Sequence, residues 1–205
     1  MTFRASPRYG TAVRQLTFPP RGTRDDDEWW SPDASTVVFQ RSFPDGSSEI
    51  YTIRADGTGL KQLTHCDLAA HPYCFNGSPV WTPDGKTIVF SRCCIGPNGD
   101  VGLATMRSDG SHVHQLTLNP TCWGDFGPTV SPDGRWVAFS RVIPAAPGNC
   151  DQSVSALFLV HLDGSALHRI TSYKLQVDEK DWSPDGSKIR QSYQPAKGSS
   201  SRPNS

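Results

Sequence analysis

The sequence predicts an all-β protein, a β-propeller of four-stranded antiparallel blades, on three observations. A turn signal followed by a short apolar run recurs four times: Ser31-Pro32-Asp33-Ala34 before Val37-Val38-Phe39, Thr82-Pro83-Asp84-Gly85 before Ile88-Val89-Phe90, Ser131-Pro132-Asp133-Gly134 before Val137-Ala138-Phe139, and Ser183-Pro184-Asp185-Gly186 before Ile189. Its period is about fifty residues, and self-similarity on that scale marks stacked or radial repeats. A second landmark keeps the same spacing: Gln15-Leu16-Thr17, Gln62-Leu63-Thr64, Gln115-Leu116-Thr117 and Arg169-Ile170-Thr171. Third, 18 glycines and 17 prolines suit a turn-dense chain without long helices.

Each turn has a mechanism. Proline presets the φ of the second turn position, aspartate caps the backbone that follows it, and glycine accepts positive φ. Ala34 breaks the pattern in the first copy, where the turn must avoid or strain the left-handed conformation. A second turn, Asp56-Gly57, Asp109-Gly110 and Asp163-Gly164, follows a strand-like run and precedes the Gln-Leu-Thr landmark. One period therefore holds four short strands. The second strands are apolar on consecutive residues, which requires cover on both faces of the sheet; blades standing between blades supply it, a barrel with one wet face does not.

Taken in order, residues 1–12 are expected to be a disordered lead-in, and residues 13–18 the fourth strand of a repeat whose first three strands are missing. Complete units are expected over about 28–64, 78–117 and 127–171, with a partial unit over 180–193, so that the repeats occupy 13–193. Where the earlier copies read Val-Val-Phe, Ile-Val-Phe and Val-Ala-Phe, the last reads Ile189-Arg190-Gln191, so that this strand is either at an exposed edge or no longer the native sequence. Residues 194–205 are Ser/Gly/Pro-rich and expected to be disordered.

The pattern Trp-Ser-Pro-Asp-Gly, then an Ile-Ala-Phe-Ser-like strand, an Ile-Tyr-like strand ending in Asp-Gly, and Gln-Leu-Thr resembles the WD-like β-propeller repeat of the TolB family. The resemblance implies a propeller that in that family is typically six-bladed and serves the Tol-Pal system of the bacterial periplasm. Related propellers precede the catalytic domain of prolyl-oligopeptidase-like hydrolases. Three full repeats, with partial ones at both ends, favour an incomplete or split-blade propeller over a closed four-bladed ring.

Twenty basic and 20 acidic side chains balance, so no global field recruits nucleic acid or an anionic membrane. No apolar run is long enough for membrane insertion, and the N-terminus has no apolar signal region. The compartment is left open, periplasmic or extracellular if the resemblance and the cysteine usage hold. Short turns share one end of the blades; the loops joining strands two and three, and those between units, share the other, where function is expected.

All six cysteines, Cys66, Cys74, Cys93, Cys94, Cys122 and Cys150, fall on those longer loops or at their borders and are disulfide candidates; unpaired structural thiols are the alternative. His65, Cys66, His71 and Cys74 fit no common zinc module, and neither metal nor cofactor is expected. The acidic run at residues 25–28 lacks the regularity of a calcium loop and reads as solvated charge in a mobile connection. Trp30, Trp81 and Trp182 recur before the Pro-Asp turns and are expected to pack between blades, whereas Trp123 is off the register. Nucleophile-elbow, phosphate-loop and dinucleotide motifs are missing, which points to a non-enzymatic scaffold. Its contact candidates for a protein partner or small ligand are Asp25, Asp26, Asp27, His71, Asp100, Trp123, Asp125 and Asp178. The alternatives are the regulatory propeller of a hydrolase whose catalytic domain lies elsewhere, and a truncated product without activity.

Overall fold

The computed structural model describes residues 2–3, 14–71, 74–93, 101–121, 123–173 and 176–194. Among them every regular element is a β-strand. Strands β1 (Thr2–Phe3) and β2 (Arg14–Gln15) form a two-stranded pair. Blade 1 follows as β3 (Arg24–Trp30), β4 (Thr36–Ser42), β5 (Ser48–Arg54) and β6 (Lys61–Gln62). Blade 2 comprises β7 (Asn76–Trp81), β8 (Thr87–Arg92), β9 (Gly102–Arg107) and β10 (His114–Gln115). Blade 3 comprises β11 (Asp125–Val130), β12 (Trp136–Ala146), β13 (Asn149–His161) and β14 (His168–Arg169), and blade 4 only β15 (Gln176–Trp182) and β16 (Ile189–Gln194). Each complete blade is an antiparallel sheet in chain order.

The apolar triplets hold the blades together. Val37, Val38, Phe39, Ile88, Val89, Phe90, Val137, Ala138 and Phe139 are all 0% exposed. Successive residues of a strand face opposite sides, and here both sides are covered. Val38 joins Ile88 and Phe90 between blades 1 and 2, and Val89 joins Val137 and Phe139 between blades 2 and 3. Ala138 faces Trp182 and Ile189 of blade 4. Val37 and Phe39 meet Leu16, just beyond β2, so that segment covers blade 1 as the outer strand of a preceding blade would. Each such side chain contributes about 1.5 to 3 kcal/mol by leaving water.

The innermost strands β3, β7, β11 and β15 stand side by side in that order, and β3 makes no contact with β15. The described blades thus form an open arc. Trp81 and Trp182 pack between blades as expected, their indole N–H groups donating at 3.3 Å to the backbone carbonyls of Trp29 and Thr129 in the preceding blade. Trp30 is 44% exposed. Arg190 lies at the exposed edge and pairs loosely with Asp181 at 3.9 Å.

Three expectations are corrected. The acidic run at residues 25–28 belongs to β3, which pairs with β4 and so gives Asp25 an arginine partner, Arg41. Cys150 lies on β13, since strands two and three of blade 3 continue as a long hairpin turning at Pro147-Gly148. Thr2 and Phe3, assigned to a disordered lead-in, pair with Gln15 and Arg14. The rest of that lead-in, and the expected tail beyond Gln194, lie outside the described residues.

The four Pro-Asp turns share one hydrogen-bond pattern. In the first, Ser31 Oγ donates to Asp33 Oδ1 at 2.6 Å and accepts from the Thr36 N–H at 3.0 Å. Asp33, Asp84, Asp133 and Asp185 are all held below the ordinary carboxylate value, first by the hydroxyl of Ser31, Thr82, Ser131 or Ser183; Asp185 falls from 3.8 to about 2. A depressed carboxylate stabilises the fold above its unfolded pKa, and that contribution is lost as pH falls through the folded value. The unfolding midpoint in urea should therefore drop between about pH 4 and about pH 2, and Asp185→Asn should flatten the curve in that window.

Gly85, Gly134 and Gly186 have φ of 69°, 72° and 69°, and Ala34 carries φ 56° in the same place. A left-handed alanine costs roughly 1 to 2 kcal/mol. Ala34→Gly should raise stability by about 1 kcal/mol in equilibrium denaturation, since relieved strain outweighs the added chain entropy of glycine.

Candidate functional site

The innermost strands surround a central cavity of about 410 Å³ lined by Asp27, Ser78, Gly127, Lys180, Asp181 and Arg190, among others. A repeated irregularity shapes it: the registers of β3/β4, β7/β8 and β11/β12 each shift, and Asp27, Ser78 and Gly127 have φ of 52°, 48° and 56°. A bulge turns one side chain per strand out of the alternating order. Ser78 Oγ donates to Asp27 Oδ2 at 3.1 Å, linking neighbouring blades at the cavity wall.

At the long-loop end of these strands lie buried ion pairs. Asp25 and Asp125, both contact candidates, have side chains 0% exposed. Each accepts a two-pronged bond from an arginine on the adjacent strand: Arg41 at 2.6 and 2.9 Å, Arg141 at 2.8 and 2.7 Å. Their guanidinium carbons stand 4.7 Å from the Tyr51 ring centre and 5.0 Å from that of Phe158. The carboxylate raises the Arg41 pKa directly; at Arg141 desolvation is the larger influence and opposes the charge, yet the pairing with Asp125 outweighs it. These two aspartates hold strands together and are closed to an outside partner.

The other candidates scatter. Asp26 pairs with Arg24 and has one carboxylate oxygen buried without a partner; burial pushes its pKa up against the opposing pull of Arg24. Asp27 lines the cavity. His71 closes a turn through its backbone N–H to the Asp67 carbonyl at 2.8 Å. Trp123 is half-buried with its indole N–H unpartnered, and its backbone N–H donates to Thr121 Oγ1 at 3.3 Å. Asp178 is on β15, and Asp100 lies outside the described residues. The structure brings Asp27 alone of the candidates to the cavity wall among the described side chains.

Cys66 and Cys74 form a disulfide, and Cys150 is disulfide-bonded. Cys93 is buried, its sulfur accepting the Phe75 N–H at 2.9 Å. Cys94 and Cys122 lie outside the described residues. Sequence reasoning missed the arginines, although the repeated Phe39-Gln40-Arg41, Phe90-Ser91-Arg92 and Phe139-Ser140-Arg141 marks them. It also missed Glu49, 5% exposed, which accepts from Thr64 Oγ1, the Cys66 N–H and Asn76 Nδ2.

A second cavity, about 430 Å³, opens on the short-turn end between blades 1 and 2, lined in part by Asp33, Arg54, Lys61, Trp81 and Asp84. Much of its polar chemistry is already engaged: Asp33 and Asp84 cap their own turns, and Lys61 donates to the Asp109 carbonyl.

The sequence profile described as the TolB beta propeller domain matches residues 9–186. The chain belongs to the TolB β-propeller family. An uncharacterised protein of Agrobacterium fabrum is 27% identical over 163 residues, covering 77% of this chain and 50% of that protein. Dipeptidyl-peptidase 5 of Porphyromonas gingivalis is 40% identical over 65 residues, 29% of this chain and 9% of that enzyme. A putative TolB of Agrobacterium tumefaciens superposes with a TM-score of 0.67 at 23% identity over 91% of this TolB-family chain and 64% of its own. The chain thus spans half the length of the Agrobacterium fabrum relative. No helix among the described residues is long and apolar enough to cross a membrane.

Replacing Asp125 with Asn leaves Arg141 half-buried without its counter-charge, and breaking such a pair costs about 3 to 5 kcal/mol. Urea denaturation of Asp125→Asn should show a loss of that order, against a few tenths for Asp181→Asn at its exposed, loose pair.

Proposed function

We propose that this chain is a non-catalytic propeller scaffold that binds a protein or small ligand at its long-loop end, around the mouth of the central cavity. The observation that carries this reading is the bulged wall. Three successive innermost strands hold a residue at positive φ, and the wall they build with blade 4 presents Asp27 and Ser78 on one side and Lys180, Asp181 and Arg190 on the other. Backbone held in a sparsely populated region, repeated at a concave polar site, suits a ligand contact better than packing. The cystine Cys66–Cys74 and the bonded Cys150 support an oxidising compartment, the periplasm or the cell exterior, in keeping with the family.

A photo-crosslinking residue placed at Asp27 or Trp123 should trap a partner from cell-envelope extract, and one placed at Asp84 on the short-turn end should not. Crosslinks at Asp84 alone would remove the long-loop end as the binding end.

A second reading is favoured by the 40% identity with dipeptidyl-peptidase 5 over 65 residues: the chain is the regulatory propeller portion of a prolyl-oligopeptidase-like hydrolase. A Gly-x-Ser-x-Gly nucleophile elbow encoded in frame with these repeats would decide for it.

A further inference from the structure

The buried ion pair at the long-loop end of blades 1 and 3 is broken in blade 2, and the break leaves an arginine without a carboxylate opposite it. In blade 1 Asp25 stands opposite Arg41, and in blade 3 Asp125 stands opposite Arg141. The same register in blade 2 sets Asn76 opposite Arg92. The aromatic shelf is gone too: Tyr51 and Phe158, opposite Phe39 and Phe139, are replaced by Ala104 opposite Phe90.

The carboxylate has moved. Thr117 Oγ1 donates to Asp125 of the next blade at 2.6 Å, whereas its counterpart Thr64 donates to Glu49 of its own blade. Asn76 Nδ2, at 3.1 Å, and the Cys66 N–H also donate to Glu49. Three neutral donors thus engage the displaced carboxylate. Arg92 is the last residue of β8 and half-buried, and its side chain has neither ion pair nor hydrogen bond among the described residues. Asn76 is 3% exposed, and its Oδ1 is buried without a partner. That orphaned acceptor marks the position as incomplete, since buried polar atoms are ordinarily satisfied.

We infer that Arg92 is the receptor for a carboxylate supplied by a binding partner, an acidic side chain or a chain terminus, which reaches the half-buried guanidinium from solvent and supplies the counter-charge that Asp25 and Asp125 supply in the neighbouring blades, while Asn76 keeps the strand position opposite. A guanidinium fork reads a carboxylate through two parallel charge-assisted bonds, the geometry the chain itself displays at Arg41 and Arg141. The inference rests on the long-loop end being the binding end, and it names the chemistry of what binds there.

The probes are the N-methylamide of N-acetyl-glutamate, which carries a single carboxylate, and, as the uncharged control, the N-methylamide of N-acetyl-glutamine, titrated into the whole chain while arginine side-chain N–H resonances are followed by NMR. The Arg92 signal, assigned by its loss in Arg92→Gln, should shift saturably with the first probe and not with the second. The double variant Glu49→Gln/Asn76→Asp moves the carboxylate back into register opposite Arg92 and should weaken the response at least about tenfold; retained cooperative unfolding confirms that it folds. No saturable shift in the wild type, an equal shift with the uncharged glutamine derivative, or an undiminished response in the folded double variant would overturn the receptor. A saturable Arg92 response together with crosslinks confined to the short-turn end would retain the receptor and discard the scaffold reading.

Discussion

Everything in this structure depends on one constraint: a four-stranded sheet with consecutive apolar residues in its second strand has no wet face to offer. The triplets ending in Phe39, Phe90 and Phe139 are wholly shielded, and part of the cover comes from neighbouring blades or, for Val37 and Phe39, from the segment around Leu16. Local pairing makes each blade, but contacts between blades keep it dry.

The turns and the landmark threonines turn this stacking into a defined geometry. Ser or Thr, Asp and the following backbone N–H close a small ring in each Pro-Asp turn, which sets where the second strand begins. At the other end, Thr64, Thr117 and Thr171 accept the backbone N–H groups of Ile50, Leu103 and Leu157, so the outer segment of each blade is pinned to its third strand. With the scaffold held at both ends, side chains at the long-loop end can vary without shifting the strands, and the exchange of Asp for Asn at residue 76 is such a variation.

The fold was legible because its signals are local and repeated. Proline, aspartate and glycine mark a reversal by their own conformational limits, and an apolar triplet announces two-sided cover. The candidate site was legible only in part. Residues 25–28 look like a solvated charge run, and the arginine that draws Asp25 into the sheet lies on the next strand, where spacing within the run cannot show it. The Phe-x-Arg recurrence was the available sign. The length of the β12/β13 hairpin escaped because its polar residues 149–153 resemble a loop; only pairing with the opposite strand makes them extended. Glu49 gave no sign, since its donors come from two other segments of chain, Thr64 and Cys66 in one and Asn76 in the other.

The account's central claim is that blades stabilise one another through these triplets, and the direct test is a double-mutant cycle across a blade boundary. Val89 of blade 2 and Val137 of blade 3 lie in one buried cluster. Val89→Ala, Val137→Ala and the double variant, compared by equilibrium denaturation, should show a coupling of about 0.5 kcal/mol or more, as expected for side chains sharing a cavity. Additivity within about 0.3 kcal/mol would mean that the blades stand independently, and would contradict the account.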